Sequence, residues 1–339
     1  MIQGRDRALD GLRGVAALCV VFSHVAAMQW VPGVDRGTPE TWQWALWHLG
    51  APAVDVFLVL SGYVVAGSLM KGRSEYGGYL LSRAVRLYPV AWLAVAAGLA
   101  LRFSGLTPSL GMTAYLAHLA EELTPGDMIG LTTMIAPIPD VSRINPPLWT
   151  LVLEMQAAAF IPLLLWAARR NAMAVAVVGM FVPFAVAYAT NVGYPLTATG
   201  FFFGVALAAG EHRIPPAPRP LAVLAFFGAA LLCRHYLSSE DNLLRVPCAI
   251  AAAGVIVAIR QGAGRRMLES TTLQRLGALS YPLYALHWPI MAAAVMAFGP
   301  VIGVPLAAVC SIPVALMAAA VVEKFVDRPS RRLSRLVRS

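Results

Sequence analysis

The chain has 339 residues, of which 13% are charged and 59% hydrophobic, whereas soluble domains carry about 25% charged residues. That balance excludes a water-soluble globular fold. The formal net charge of +9 would suit a nucleic-acid partner, but its distribution along the chain points to membrane topology instead, and no nucleic acid is expected.

Apolar runs of the roughly 17 to 25 residues needed to cross a bilayer recur from end to end, separated by clusters of Arg, Pro and Gly. They predict an all-α polytopic membrane protein with about ten transmembrane helices, near 12–31, 52–70, 85–103, 149–168, 172–190, 196–210, 220–237, 243–259, 281–298 and 302–322. This is a single transmembrane domain over 1–339 that leaves no soluble domain. The first run is flanked like a signal peptide, with small residues Ala26 and Ala27 behind it. It is longer than a typical signal core and contains His24, so it is read as a retained first helix. The one long connection, 104–148, holds a weakly apolar stretch from Leu110 to Leu119 that ends in Glu121 and Glu122. It is too short to span, and an interfacial or re-entrant helix is expected there. Cys19, Cys233, Cys248 and Cys310 lie in or beside apolar runs without close pairing, which speaks against disulfide and zinc frameworks, and no metal is expected. There is no repeat of 20 to 50 residues and no inverted repeat of the kind common in secondary transporters.

When Lys and Arg are assigned to alternating sides of ten helices, only Arg36, Arg102, Arg143, Arg234 and Arg245 of the 26 fall on one side. The positive-inside rule then puts both termini in the cytoplasm and the 104–148 loop outside. If 110–119 crossed, Arg169, Arg170, Arg265 and Arg266 would face outward, against that rule. Trp30, Trp42, Trp44, Trp47, Trp149 and Tyr194 fall near the outer boundary as an aromatic belt. The chain is therefore expected to be integral to a cell membrane, with the lipid bilayer as its standing partner.

Ionisable side chains inside spanning helices cost roughly 2.5 to 3.5 kcal/mol at the helix centre, so each calls for an explanation. His24, Asp55, Glu154 and His287 lie on predicted helices one, two, four and nine. With about 1.5 Å rise per residue, His24 is roughly 18 Å and His287 roughly 12 Å above the cytoplasmic edge. Glu154 comes out roughly 8 Å and Ser61 roughly 14 Å below the outer edge. Bland roles compete: His287 could satisfy a carbonyl freed by Pro289, Asp55 could cap helix two, and Arg83 and Arg86 could be cytoplasmic anchors.

Several motifs occur in one order along the chain. Arg13-Gly14 and Ser23-His24 place an Arg and a His on the first helix with ten residues between them. Asp55 to Tyr63 reads DVFLVLSGY, Arg83 to Pro89 reads RAVRLYP, and Pro147 to Glu154 reads PLWTLVLE. Leu286-His287-Trp288-Pro289 and Phe325-Val326-Asp327-Arg328-Pro329 follow. Together these resemble the acyltransferase-3 family of integral membrane acyltransferases. Thr150 stands where that family usually has Ser, and Asp327 where it has Glu. No soluble esterase-like domain of the kind some members carry follows the membrane part, so acceptor recognition is expected to use the membrane domain or a partner.

The resemblance implies an acyl-CoA-dependent O-acyltransferase. The donor, acetyl-CoA or another acyl-CoA, is a substrate, and no bound cofactor is implied. Arg13, Arg83 and Arg86 would meet its phosphates from the cytoplasm, and Asp55, Ser61 and Trp149 are assigned with them to substrate binding. His24 would act as general base on a hydroxyl of a sugar or glycoconjugate, with Glu154 holding the imidazole or the acceptor. His287 either supports His24 or contacts the thioester, and a covalent acyl-enzyme relay remains open. Two other classes compete: a proton-coupled transporter relaying through His24, Glu154 and His287, and a catalytically silent subunit of an envelope complex.

Overall fold

Backbone in hydrocarbon has no water to bond, so apolar segments must close their hydrogen bonds internally. The computed structural model accordingly contains helices and no strand among its described residues, which are 6–29, 42–72, 75–106, 116, 119, 121–135, 143–190, 194–232 and 245–337. Arg5, Trp30, Arg36, Arg73, Cys233, Arg234, Arg338, Ser339 and most of the 110–119 stretch lie outside the described residues, as do the side chains of Trp42, Trp44 and Tyr194.

The helices are α1 (Arg7–Ala27), α2 (Trp42–Trp47), α3 (Gly50–Lys71), α4 (Tyr76–Arg102), α5 (Pro125–Thr133), α6 (Trp149–Arg170) and α7 (Ala172–Thr190). They continue as α8 (Thr199–Gly210), α9 (Pro220–Leu232), α10 (Arg245–Arg260), α11 (Arg265–Leu268), α12 (Thr271–Ile302), α13 (Val304–Val322) and α14 (Arg328–Val337). Among the described residues seven helices, built on α1, α3, α4, α6, α7, α12 and α13, are long and apolar enough to cross a membrane. In the other three predicted spans the described residues form helices of 12 residues in α8, 13 in α9 and 16 in α10. Several helices begin earlier than hydropathy suggests. α1 starts at Arg7 and α12 at Thr271, because hydropathy marks the stretch that suits lipid and not where the hydrogen-bonded helix begins. Large apolar side chains face outward on α7 and α13, with Phe181 65%, Tyr188 85% and Met317 63% exposed, as expected of surfaces solvated by lipid.

The described helices divide into two packing units. The first takes residues within Met1–Ala16, Ala51–Tyr76 and Ala157–Gly277. In it the start of α1 meets the start of α12 almost backbone to backbone. A Cβ on Gly14 would stand 2.7 Å from the Gly277 nitrogen, and one on Gly277 would stand 2.2 Å from the Asp10 carbonyl oxygen. Only glycine permits that approach. The Gly14 of the first motif is thereby explained by packing. A polar network joins four of this unit's helical segments and Asp6, which precedes α1. The Tyr63 hydroxyl donates to Glu211 at 2.6 Å, Arg260 reaches Glu211 at 2.8 Å and Asp6 at 2.5 Å, and Arg265 reaches Asp6 at 3.4 Å and Glu269 at 2.6 Å.

Burial by itself would raise the Asp6 pKa, but the Arg260 hydrogen bond, the Arg265 and Arg260 charges and the Ala8 N–H together hold it below the usual carboxylate value. A carboxylate depressed in the folded state stabilises above its unfolded pKa, about 3.9, and that contribution is lost as pH falls through the lower folded value. Asp6→Asn is therefore expected to lower thermal stability at neutral pH and to flatten its decline below about pH 4. Melting curves in detergent across that range check it, and a parallel downward shift at every pH would contradict it.

The second unit takes residues within Ala17–Gly50, Gly77–Gln156 and Ala278–Ser339. Here the long connection contributes α5, which the hydropathy reading missed. Thr124 caps it in a reciprocal box with Asp127, and Pro125 opens its first turn, a start signal that was present in the sequence. Arg143 then ties the connection together through Asp127 at 3.3 Å and Glu121 at 3.2 Å. Tyr88 and Trp92 of α4 donate to the carbonyls of Thr133 and Thr132 at the end of α5.

Candidate active site

The second unit brings His24 and His287 into contact, His24 Nδ1 lying 2.8 Å from His287 Nε2. His24 comes from α1 and is half-buried, whereas His287, from the middle of α12, is 0% exposed. Their bonding fixes the proton positions. His287 Nδ1 lies 3.0 Å from the Leu283 carbonyl oxygen and 2.8 Å from that of Tyr284. Carbonyl oxygens only accept, so Nδ1 carries the proton and the neutral ring presents a lone pair on Nε2. His24 Nδ1 must then be the donor between the rings. That tautomer makes Nε2 the basic nitrogen of His24, the arrangement a general base requires.

α12 carries Pro282, Pro289 and Pro300 within one continuous helix. Proline lacks an N–H, so Pro289 deprives the Ala285 carbonyl of its helical donor. His287 was a candidate for that carbonyl, but the donor is Asn145, whose Nδ2 lies 2.8 Å from the Ala285 oxygen. Nearby, the Thr150 hydroxyl bonds to the Tyr284 hydroxyl at 2.8 Å, and the Tyr284 ring lies 6.1 Å from that of His287. Thr150 thus keeps the hydroxyl of the Ser it replaces and uses it beside the histidine pair. On α1, Ser23 packs so closely on the start of α3 that a Cβ at Gly50 would stand 2.4 Å from its hydroxyl oxygen.

Glu154 accepts a hydrogen bond from Arg83 Nη2. The depth estimate had put these residues toward opposite faces of the membrane, and the contact corrects it. Residues 144–148 ahead of α6 are buried, with Ile144, Asn145 and Leu148 each 0% exposed. α6 therefore starts from a buried segment, and Glu154 lies beside Arg83. The pairing gives Arg83, 7% exposed, a carboxylate partner within the same unit. Arg86, one turn further along α4, is half-buried. Tyr281 donates to the Leu87 carbonyl. Asp327 is 2% exposed and bonded to Arg331 at 3.0 Å, within a π-helical turn, Glu323–Asp327.

Trp149 is half-buried at the start of α6 in the second unit. Arg13, Asp55 and Ser61 belong to the first unit. Arg13 lies 3.8 Å from Asp10, Ser61 is half-buried on α3, and Asp55, 3% exposed, pairs with Arg245 of α10 at 3.0 Å. Asp55 sits well inside α3, which begins at Gly50, so it is an inter-helix ion-pair partner and not a cap. Among the described residues no cluster of three His, Cys, Asp or Glu could hold a metal ion. The sequence reading missed Asn145, Tyr281 and Tyr284. The spacing Tyr281-x-x-Tyr284-x-x-His287 does place its three members on one face of a helix.

A comparison with known families matches residues 6–324 to the acyltransferase domain profile Acyl_transf_3. The acyltransferase MdmB of Streptomyces mycarofaciens is 26% identical over 318 aligned positions, 84% of this chain and 78% of that protein. BcsY of Komagataeibacter xylinus, a proposed membrane-bound transacylase, is 26% identical over 347 positions, 95% of this chain and 83% of that protein. Nodulation protein 10 of Rhizobium leguminosarum bv. viciae is 28% identical over 175 positions, covering 49% of this chain and 46% of the relative. No solved structure matches the chain. With a family match over nearly its whole length and seven helices fit to span a bilayer, the chain belongs to the acyltransferase-3 family and is a multi-pass integral membrane acyltransferase.

Proposed function

We propose that the protein transfers an acyl group, acetyl in the simplest case, from cytosolic acyl-CoA to a hydroxyl of a sugar or glycoconjugate, with His24 as general base. The His24–His287 contact carries this reading. His24 Nε2 takes the proton of the acceptor hydroxyl as its oxygen attacks the thioester carbonyl carbon. The C–S bond then breaks, and the imidazolium returns a proton to the departing CoA thiolate. His287 supports the charged ring through its Nε2 lone pair, a role favoured by its contact with His24. Glu154, bonded to Arg83, steadies the helices around the pair instead of the imidazole itself. Arg13 and Arg86 are the arginines assigned to the donor phosphates.

All ten predicted helices cross in this reading, α8, α9 and α10 as short spans, with both termini and the loops containing Arg169, Arg213 and Arg265 in the cytoplasm. Single-cysteine labelling of intact cells is expected to modify a probe at position 127 from outside and none at position 213. Outside labelling at 213 would overturn the ten-helix topology.

Two adjacent histidines would also serve a proton-coupled transporter. Glu154, the third member of such a relay, is committed to Arg83, and family membership favours transfer chemistry. The deciding experiment incubates detergent-purified protein with acetyl-CoA and O-antigen or peptidoglycan fragments and follows release of the CoA thiol. Acceptor-dependent release supports acyl transfer; proton-driven flux in vesicles without thiol release would support the transporter.

A further inference from the structure

We propose that Asn145 is a positioning residue for the histidine pair, and that its role is created by Pro289. The inference rests on the reading of His24 and His287 as the transfer site. Pro289 falls two residues after His287 and removes the helical donor to Ala285, two residues before it. Left bare, that buried carbonyl would be costly and the turn carrying His287 would be free to reshape. Asn145 Nδ2 supplies the missing bond at 2.8 Å. Its amide orientation is not ambiguous, because reversal would set Oδ1 against the Ala285 oxygen, acceptor against acceptor.

Two further observations support a specific role. Asn145 is 0% exposed, and its Oδ1 is buried without a donor among the described residues. An apolar residue of the same size would avoid that penalty, so the Nδ2 bond must outweigh it. The bond also acts on the turn that orients the supporting His287 ring, since the Leu283 and Tyr284 carbonyls that hold His287 Nδ1 immediately precede Ala285. A donor arriving from residue 145, on the far side of a short 3-10 turn from Thr150, links the segment that starts α6 to the helix bearing His287. Misplacement of about 1 Å in a catalytic arrangement can cost about 10²-fold in rate.

The test is a double-substitution cycle on the full-length protein in detergent, reading melting temperature and the release of CoA thiol from acetyl-CoA with O-antigen and peptidoglycan fragments. Asn145→Leu is expected to lower the melting temperature and to reduce kcat by about 10²-fold, with little change in the apparent KM for acetyl-CoA. Asn145→Asp, which keeps the shape and the acceptor but loses the donor, should do the same. Pro289→Ala restores an N–H to the helix, so adding Asn145→Leu to it should cost much less in both readouts. If Asn145→Leu does not fold, recovery of folding in the double variant supports the inference, and failure of the double variant while Pro289→Ala folds overturns it. Equal losses in both backgrounds, or an Asn145→Asp protein like the wild type, also overturn it. His24→Ala, run in parallel, separates the premises. An active His24→Ala protein would remove the general-base reading itself, whereas an inactive one beside a normal Asn145→Leu protein would remove only the role given to Asn145.

Discussion

Replacing His24 with alanine is expected to reduce acyl transfer by about 10² to 10⁴-fold, the usual contribution of a positioned general base, while the protein still inserts and binds acyl-CoA. His24 lies on α1 and is half-buried, and it meets its partner histidine on α12 at 2.8 Å, so the fold of the variant is checked by its melting temperature beside its turnover. Donor affinity, measured by calorimetry or by protection against thermal unfolding, should change little. Near-normal turnover in a correctly folded preparation would sink the mechanism. His287→Gln should have a smaller effect, because an amide oxygen can still accept from His24 Nδ1. That difference would identify His24 as the group that moves the proton and His287 as its support.

Arg83→Ala is expected to destabilise the protein by about 3 kcal/mol, the low end of the range for breaking a buried ion pair, because its side chain is 9% exposed and that of Glu154 24%. Removing only the arginine strands a carboxylate among helices. The double substitution Arg83→Met with Glu154→Leu should recover most of the stability, since well-packed apolar replacements of a buried pair are often neutral. Arg86→Ala is the contrast. It should raise the apparent KM for acyl-CoA with kcat little changed, as loss of a phosphate contact present in ground and transition states does. A melting temperature unchanged by Arg83→Ala, with a raised KM, would return Arg83 to the donor site.

The membrane-helix class and the two histidines were legible because hydropathy and ordered motifs carry them directly. Each motif reports residue type and spacing, and His24 and His287 came out at similar depths on separate helices. The pairing of Arg83 with Glu154 was not legible. Depth had been counted from an assumed outer edge at Trp149, and nothing in a hydropathy count shows that 144–148 is folded inside. Asp55 looked like a cap because its distance from the true helix start at Gly50 was unknown. Asn145 went unnoticed for a different reason: its partner is a backbone atom 140 positions away, and only the proline at 289 hinted that such a partner would be needed.

In the transfer proposed above, the histidine pair would have a single entrance for protons. His287 Nδ1 is turned to carbonyls and the two facing nitrogens share one hydrogen. The nitrogen that would take the acceptor's proton is therefore His24 Nε2. A second proton would have to settle on His287 Nε2, hydrogen against hydrogen across 2.8 Å. The pair would thus be a one-proton store with the same door for loading and unloading. The hydrogen lifted from the acceptor hydroxyl and the one delivered to the leaving sulfur would pass through a single atom, making base and acid successive states of one nitrogen.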